Sequence, residues 1–173
     1  MMSDDQASGM FPPIVVMGVS GSGKSSVGAL LAQYLEVPFV DGDDLHSAAD
    51  IASMAAGHPL DDAAREPWLD RCADWLAEHR ATGAVLPCSA LRRSYRDRIR
   101  RGCPTAEFVH LVGSRDLIAS RMVDRTDHFM PVELLESQFE TLEPLEADER
   151  GIEITIDRPV TAIVERIVEQ LIP

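Results

Sequence analysis

The stretch GVSGSGKSS, Gly18 to Ser26, constrains the fold more than any other part of the chain, because it needs a buried strand before it and a helix after it. Gly18, four intervening residues, then Gly23, Lys24 and Ser25 have the spacing of a phosphate-binding loop. Both flanks agree. Ile14 to Met17 read as a buried strand, and Val27, Leu30, Leu31, Tyr34 and Leu35 recur on one helical face. In such a loop the backbone N–H groups from Gly18 through Val19, Ser20, Gly21, Ser22 and Gly23 turn inward around phosphate oxygens. Lys24 supplies a point charge to the β/γ-phosphates, Ser25 offers its hydroxyl to Mg²⁺, and the helix beginning near Ser26 aims its positive end at the anion. The chemistry expected of this segment is therefore ATP binding with Mg²⁺.

Further short apolar runs follow: VPFV at 37–40, AVLPC at 84–88, EFVHLV at 107–112 and IEITI at 152–156. Helical patterns separate them, at about 62–80, 91–101, 114–124 and 131–141, and a last helix carries Val160, Ile163, Val164, Ile167, Val168 and Leu171 on one face. Strand and helix in alternation predict a parallel sheet covered on both sides. The 173 residues suit one such domain, 14–173, behind a polar, acidic tail at 1–13 expected to be disordered. Ligands of these sheets bind beyond the carboxyl ends of the strands, so the residues after each run are the ones to read for function.

A net charge of −13 argues against nucleic acid or an anionic membrane as partner, since their phosphates would be repelled. Cys72, Cys88 and Cys103 show no metal-ligand spacing, and the start of the chain lacks a signal-peptide core. Reduced thiols in a cytoplasmic protein are the expectation.

Asp41 to His46, DGDDLH, follows the second run. Carboxylates there can order the waters of Mg²⁺ or take the proton of an attacking hydroxyl; Asp-Gly and Asp-Asp also make good turns and helix caps. Which of Asp41 and Asp43 lies nearer the metal is open; Asp41, closing the strand, is the one expected deeper. The third run leads into CSALRRSYRDRIRR, where Arg92, Arg93 and Arg96 are near enough to the strand end to meet an anion, while Arg98, Arg100 and Arg101 read as a solvated face. Arg121 and Arg125, four apart, share one side of a helix end, as a lid supplying charge to a transferring phosphoryl group would need. Surface pairing with Asp124 or Asp127 is the competing account. His79 and His110 read as structural, and no guanine-nucleotide signature accompanies the loop.

Together GVSGSGKS, DGDDLH, MAAGHPLDDAAREPWL, CSALRRSYRDRIR and HFMPVELLESQFETLEPLEADE resemble, in order, the P-loop gluconate kinases, over about Ile14 to Ile172. The resemblance implies a three-layer P-loop kinase fold, a five-stranded parallel sheet of order 2-3-1-4-5 with a helical lid at about 121–141, and commonly a homodimer. It implies transfer from ATP, with Mg²⁺, to the 6-hydroxyl of D-gluconate. Carried over by position, Lys24, Asp43 and Arg125 are the catalytic set, Ser25 and Asp41 the metal side, and Arg121 and Pro159 the remaining nucleotide contacts. Asp43, His46, Arg65, Arg93, His128 and Gln138 are the expected substrate contacts. The chain departs from the family pattern at Ser47, Ala48, Asp50 and Ser53, which removes positive charge from the substrate side, and at Arg92, where Lys is usual. A shikimate or nucleotide kinase is the alternative enzyme, and a nucleotide-binding module without transfer the alternative of another class.

Overall fold

The computed structural model of the chain describes residues 11–123 and 132–172. Strand β1 (Pro13–Met17) leads through the phosphate loop into α1 (Lys24–Leu35); a short 3-10 helix (Gly42–Leu45), α2 (Ala48–Ala55) and α3 (Asp62–Glu78) precede β2 (Ala84–Pro87). Then come α4 (Arg93–Gly102), β3 (Glu107–Val112), α5 (Arg115–Val123), α6 (Val132–Thr141), β4 (Gly151–Thr155) and α7 (Val160–Leu171). All pairings are parallel, in the order β2-β1-β3-β4.

The period-two alternation of strand side chains builds two cores, one on each sheet face. Ile14, Val16, Val85 and Val109 meet α1, α5, α6 and α7 through Leu31, Ile118, Leu135 and Ile163. Val15, Met17, Leu86 and Phe108 meet α3 and α4 through Trp68, Leu69, Leu76, Tyr95 and Ile99. Among residues assigned to the buried face of α1, Tyr34 departs: it is 64 % exposed at the outer edge of the stripe.

The sheet has four strands among the described residues, where five were expected. VPFV at 37–40 reaches the correct edge beside β2, but is reduced to a single parallel bridge, Phe39 to Val85. The bridge makes two hydrogen bonds, Val85 N–H to Pro38 O at 2.9 Å and Val40 N–H to Val85 O at 3.3 Å. In a parallel ladder the next rungs would call on the N–H of Pro87 on one side and of Pro38 on the other, and proline has none. The strand stops where its donors run out.

Arg96, in α4, is buried completely. It grips the Glu149 carboxylate through Nε at 2.7 Å and Nη2 at 3.0 Å, and donates to the carbonyls of Ala90, Leu91 and Pro144 at 3.0, 3.3 and 3.3 Å. Glu149 also accepts from Arg100 and from the backbone N–H of Glu146, both at 2.8 Å. Arg96 is therefore a structural cation and not, as its sequence position suggested, an anion contact. Burial pushes the Glu149 carboxyl up, but the Arg96, Glu146 and Arg100 hydrogen bonds outweigh it and hold the group at about 2.

Because Glu149→Ala strands a buried guanidinium, it should cost about 3–5 kcal/mol in urea unfolding, and Arg96→Met together with Glu149→Leu should recover much of that loss. The sign of the acid dependence follows from the lowered pKa: the stabilisation is complete above the ordinary value of 4.5 and drains away as pH falls toward about 2. Unfolding midpoints measured between those limits should drop in the wild type and stay nearly level in the Arg96/Glu149 double variant.

Candidate active site

The carboxyl ends of β1 and β2, the phosphate loop, the 3-10 helix and the first turns of α3 enclose a cavity of about 690 Å³. Its floor is the loop. Gly21 and Gly23 hold φ of +81° and +92°, left-handed backbone that a side chain strains, and a Cβ on Gly21 would also come within 2.7 Å of Met122. Gly23 caps α1, so the positive end of that helix opens into the cavity. Lys24 Nζ donates to Val19 O at 3.0 Å, at the loop itself. Val19 and Ser22 are buried in the loop's underside, while Ser25 and Ser26 are exposed at the start of α1.

Asp41 follows the single-bridge strand and makes two bonds at once: its carboxylate accepts from Ser25 Oγ at 2.5 Å and from the backbone N–H of Asp43 at 3.0 Å. One residue thus starts the 3-10 helix and stands against the Ser25 hydroxyl of the loop. Gly42, under Trp68, turns the chain so that Asp43 faces the cavity. Partial burial, then the neighbouring Asp41 charge, push the Asp43 carboxyl above the usual aspartate range, against the opposing pull of Lys24 and His46.

His46 stacks on Trp68, ring centroids 4.3 Å apart and 14° from parallel, and Trp68 Nε1 donates to Gly42 O at 2.7 Å. The indole therefore supports both ends of the 3-10 helix. Burial holds the His46 pKa below its ordinary value, with Asp43 and Asp50 pulling the other way. Arg65 lines the far wall, donating to Tyr95 Oη at 3.0 Å, and Tyr95 donates on to Asp62 at 2.5 Å. Lys24, Arg65 and His46 are the basic groups on the wall, against Asp41 and Asp43, so a small polar anion can find both a phosphate end and a cationic end in one chamber.

The relations of the chain to known proteins agree with this geometry. A family model described as Shikimate kinase matches residues 20–171. The thermosensitive gluconokinase of Escherichia coli (strain K12) is 45% identical over 156 residues, covering 88% of this chain and 83% of that protein. The chain belongs to the gluconokinase family. A crystal structure of a gluconokinase from Sinorhizobium meliloti 1021 superposes with a TM-score of 0.85 at 44% identity, covering 94% of this chain and 92% of that one. A shikimate kinase from Aquifex aeolicus, at 17% identity and a TM-score of 0.61, shares the fold alone. The chain is accordingly a kinase of the P-loop α/β class, with a parallel sheet covered by helices.

Of the residues singled out by the gluconokinase resemblance, the structure gathers Ser20, Gly21, Gly23, Lys24, Ser25, Asp41, Asp43, His46, Arg65 and Gln138 on one cavity. Arg93 lies elsewhere. Its guanidinium is held by Asp148 through two bonds of 2.8 Å and by Glu146, which turns it along the outside of α4. Arg92 is exposed at the start of α4 and does not line the chamber. Neither Arg121 nor Pro159 lines this cavity: Arg121 donates to Ile156 O just past β4, and Pro159 caps α7 three residues on. Arg125 and His128 lie outside the described residues. His79 Nδ1 donates to the Trp75 carbonyl at 2.8 Å and His110 is buried in β3, both structural as read from the sequence. All three cysteines are free and buried, and Cys72 is held as the thiol by its hydrogen bond to Cys88 and by burial. Trp68 is the site residue that the chemistry of single motifs did not single out. It carries no reactive group, and its role depends on the Gly42 carbonyl reached 26 residues away.

A raised carboxyl pKa means the fold disfavours the charged form of Asp43, so Asp43→Asn should raise the melting temperature at pH 7. The sign reverses nothing on acidification: as pH falls below the ordinary value of 3.8 both proteins carry a neutral group there, and the gap between the two melting curves should close. Paired thermal melts across that range test it.

Proposed function

We propose that the protein is an ATP-dependent gluconokinase that transfers the γ-phosphoryl group to the 6-hydroxyl of D-gluconate, giving 6-phospho-D-gluconate and ADP. The observation that carries this reading is one cavity joining Lys24 and the Ser25–Asp41 pair to Asp43, His46 and Arg65, in a chain 45% identical to a gluconokinase. The loop fits a nucleotide: left-handed glycines under a helix N-terminus leave N–H groups to aim at phosphate. The metal side fits Mg²⁺. No cluster of three or more acidic, His or Cys ligands exists among the described residues, and Mg²⁺ shared with phosphates asks for only one or two protein oxygens, here Ser25 and Asp41. When bound, Mg²⁺ supplies positive charge at the phosphate oxygens.

The chain's own groups then divide the work. Lys24 shifts from the Val19 carbonyl to the phosphate charge that grows as the bridging bond loosens. Asp43 orients the acceptor hydroxyl in line and accepts its proton late, and a raised pKa suits that task. Arg65 pairs with the substrate carboxylate, held at a fixed reach by Tyr95. His46, kept flat on Trp68, offers a ring nitrogen to the polyol. The family resemblance further supports a lid over about 121–141 that brings Arg121 and Arg125 toward the phosphates and His128 toward the substrate, a homodimer, a cytoplasmic location and a single kinase domain behind an N-terminal tail. Among the described residues no helix is long and apolar enough to cross a membrane.

With ATP and Mg²⁺, gluconate should give the highest kcat/KM in a panel of aldonates, shikimate and nucleoside monophosphates scored by ADP release; shikimate or a nucleotide in first place overturns the reading. Within that assay Lys24→Ala should lower kcat by about 10² or more, and Asp43→Asn by roughly 10² to 10⁴ with gluconate KM changed less than about tenfold.

A further inference from the structure

Gln138 stands in α6, 118 residues beyond Ser20 at the crest of the phosphate loop, yet the two make a reciprocal pair of hydrogen bonds. The Ser20 backbone N–H donates to Gln138 Oε1 at 2.6 Å, and Gln138 Nε2 donates to Ser20 Oγ at 3.0 Å. The amide orientation is fixed by chemistry, because a backbone N–H can face only the carbonyl oxygen of the carboxamide. Both residues line the cavity, next to Gly21, where a Cβ would come within 2.7 Å of Met122 of α5. On the other side of Gln138, α6 is anchored by Leu135 in the core and sends Leu134 to the cavity wall. A rigid helix, a two-point polar clasp and the loop crest therefore form one mechanical unit.

We infer that Gln138 is a positioning residue: it clasps the loop crest to α6, so that the segment closing over the site is registered against the nucleotide's phosphates, and it is not primarily a contact of the acceptor. The inference rests on the proposed kinase reaction. The bond costs the protein a side chain that otherwise faces the chamber, and it satisfies a Ser20 N–H that makes no backbone hydrogen bond. Without the clasp, Ser20 is free to move while α6 stays on the core. Misregistration of a few tenths of an ångström between phosphates and closing segment slows transfer more than it weakens binding, and it admits water.

The test is steady-state kinetics on Gln138→Ala, Gln138→Asn, Ser20→Ala and the Ser20→Ala/Gln138→Ala double variant, with ADP and phosphogluconate measured separately. Gln138→Asn keeps the chemistry and is one methylene too short to reach; a half-exposed polar change of this kind leaves melting near wild type. Both Gln138 variants should lower kcat by about tenfold, change gluconate KM by less than about threefold, and raise the share of ADP released without phosphogluconate by about threefold or more. The double variant should be no worse than Gln138→Ala alone, since that change already removes both bonds of the clasp whereas Ser20→Ala removes only the one to its hydroxyl. Three results overturn the inference: gluconate KM raised about tenfold or more at near-normal kcat, additive effects of the two single changes, or Gln138→Ala indistinguishable from wild type. Failure of the functional proposal looks different, because there the wild type itself would not turn over gluconate.

Discussion

The buried ion pair between Arg96 and Glu149 ties together parts of the chain that share no strand or helix. Its guanidinium accepts three kinds of obligation: the turn after β2 through the Ala90 and Leu91 carbonyls, the connection after α6 through Pro144, and the approach to β4 through Glu149. Ala90 sits at φ +43°, a left-handed conformation that costs a residue with a side chain, and the carbonyl it presents to Arg96 lies beside the site-lining Ser89. A buried pair of this kind adds little net stability over an apolar replacement, because desolvation consumes the attraction. What it contributes is location: α6 leaves the active-site floor and β4 enters the sheet from one fixed knot.

That knot explains why a strongly acidic chain can still hold an anion-binding chamber. Three arginines of α4 are engaged by carboxylates away from the chamber: Arg93 by Asp148 and Glu146, Arg98 by Asp70 and Glu66, Arg100 by Asp97 and Glu149. Positive potential inside the cavity comes instead from few sources set by backbone geometry, namely the N-terminus of α1, Lys24 and Arg65. The departures from the family pattern at Asp50 fit the same arrangement. Asp50 pairs with Arg71, whose Nε is bonded to Leu45 O, so its charge is spent steadying the 3-10 helix.

Much of this was legible in the sequence, and the limits have physical reasons. The loop, α1 and the four strands of the sheet announce themselves because local spacing and burial ask for the same thing. Asp41 and Asp43 were separable only in part: the turn at Gly42 suggested that one is deep and one open, and the structure sets Asp41 against the Ser25 hydroxyl while Asp43 faces the cavity. Long-range polar contacts left no local trace. Arg96 and Arg93 look equivalent in RRSYR, yet Arg96 is buried on Glu149 while Arg93, on the same face one turn earlier, is held nearer the surface by Asp148. The fifth strand failed for a reason visible only after pairing, since each proline is harmless until the ladder asks it for a donor.

Those same two prolines bear on how the molecule behaves in a crowded solution. A sheet margin with free N–H and C=O groups is a template on which a second chain can add a strand, and the margin beyond β2 is occupied by a segment with a single bridge, Phe39 to Val85, and with Phe39 partly open to solvent. Pro38 takes one donor out of that outer row, and Gly42 lies so close over the Pro87 carbonyl, 2.5 Å from where a Cβ would sit, that the row bends away into the active site within two residues of Val40. The chain thus spends its would-be fifth strand as a blunt hem: long enough to cover β2, too short and too poor in donors to recruit a neighbour into a growing sheet.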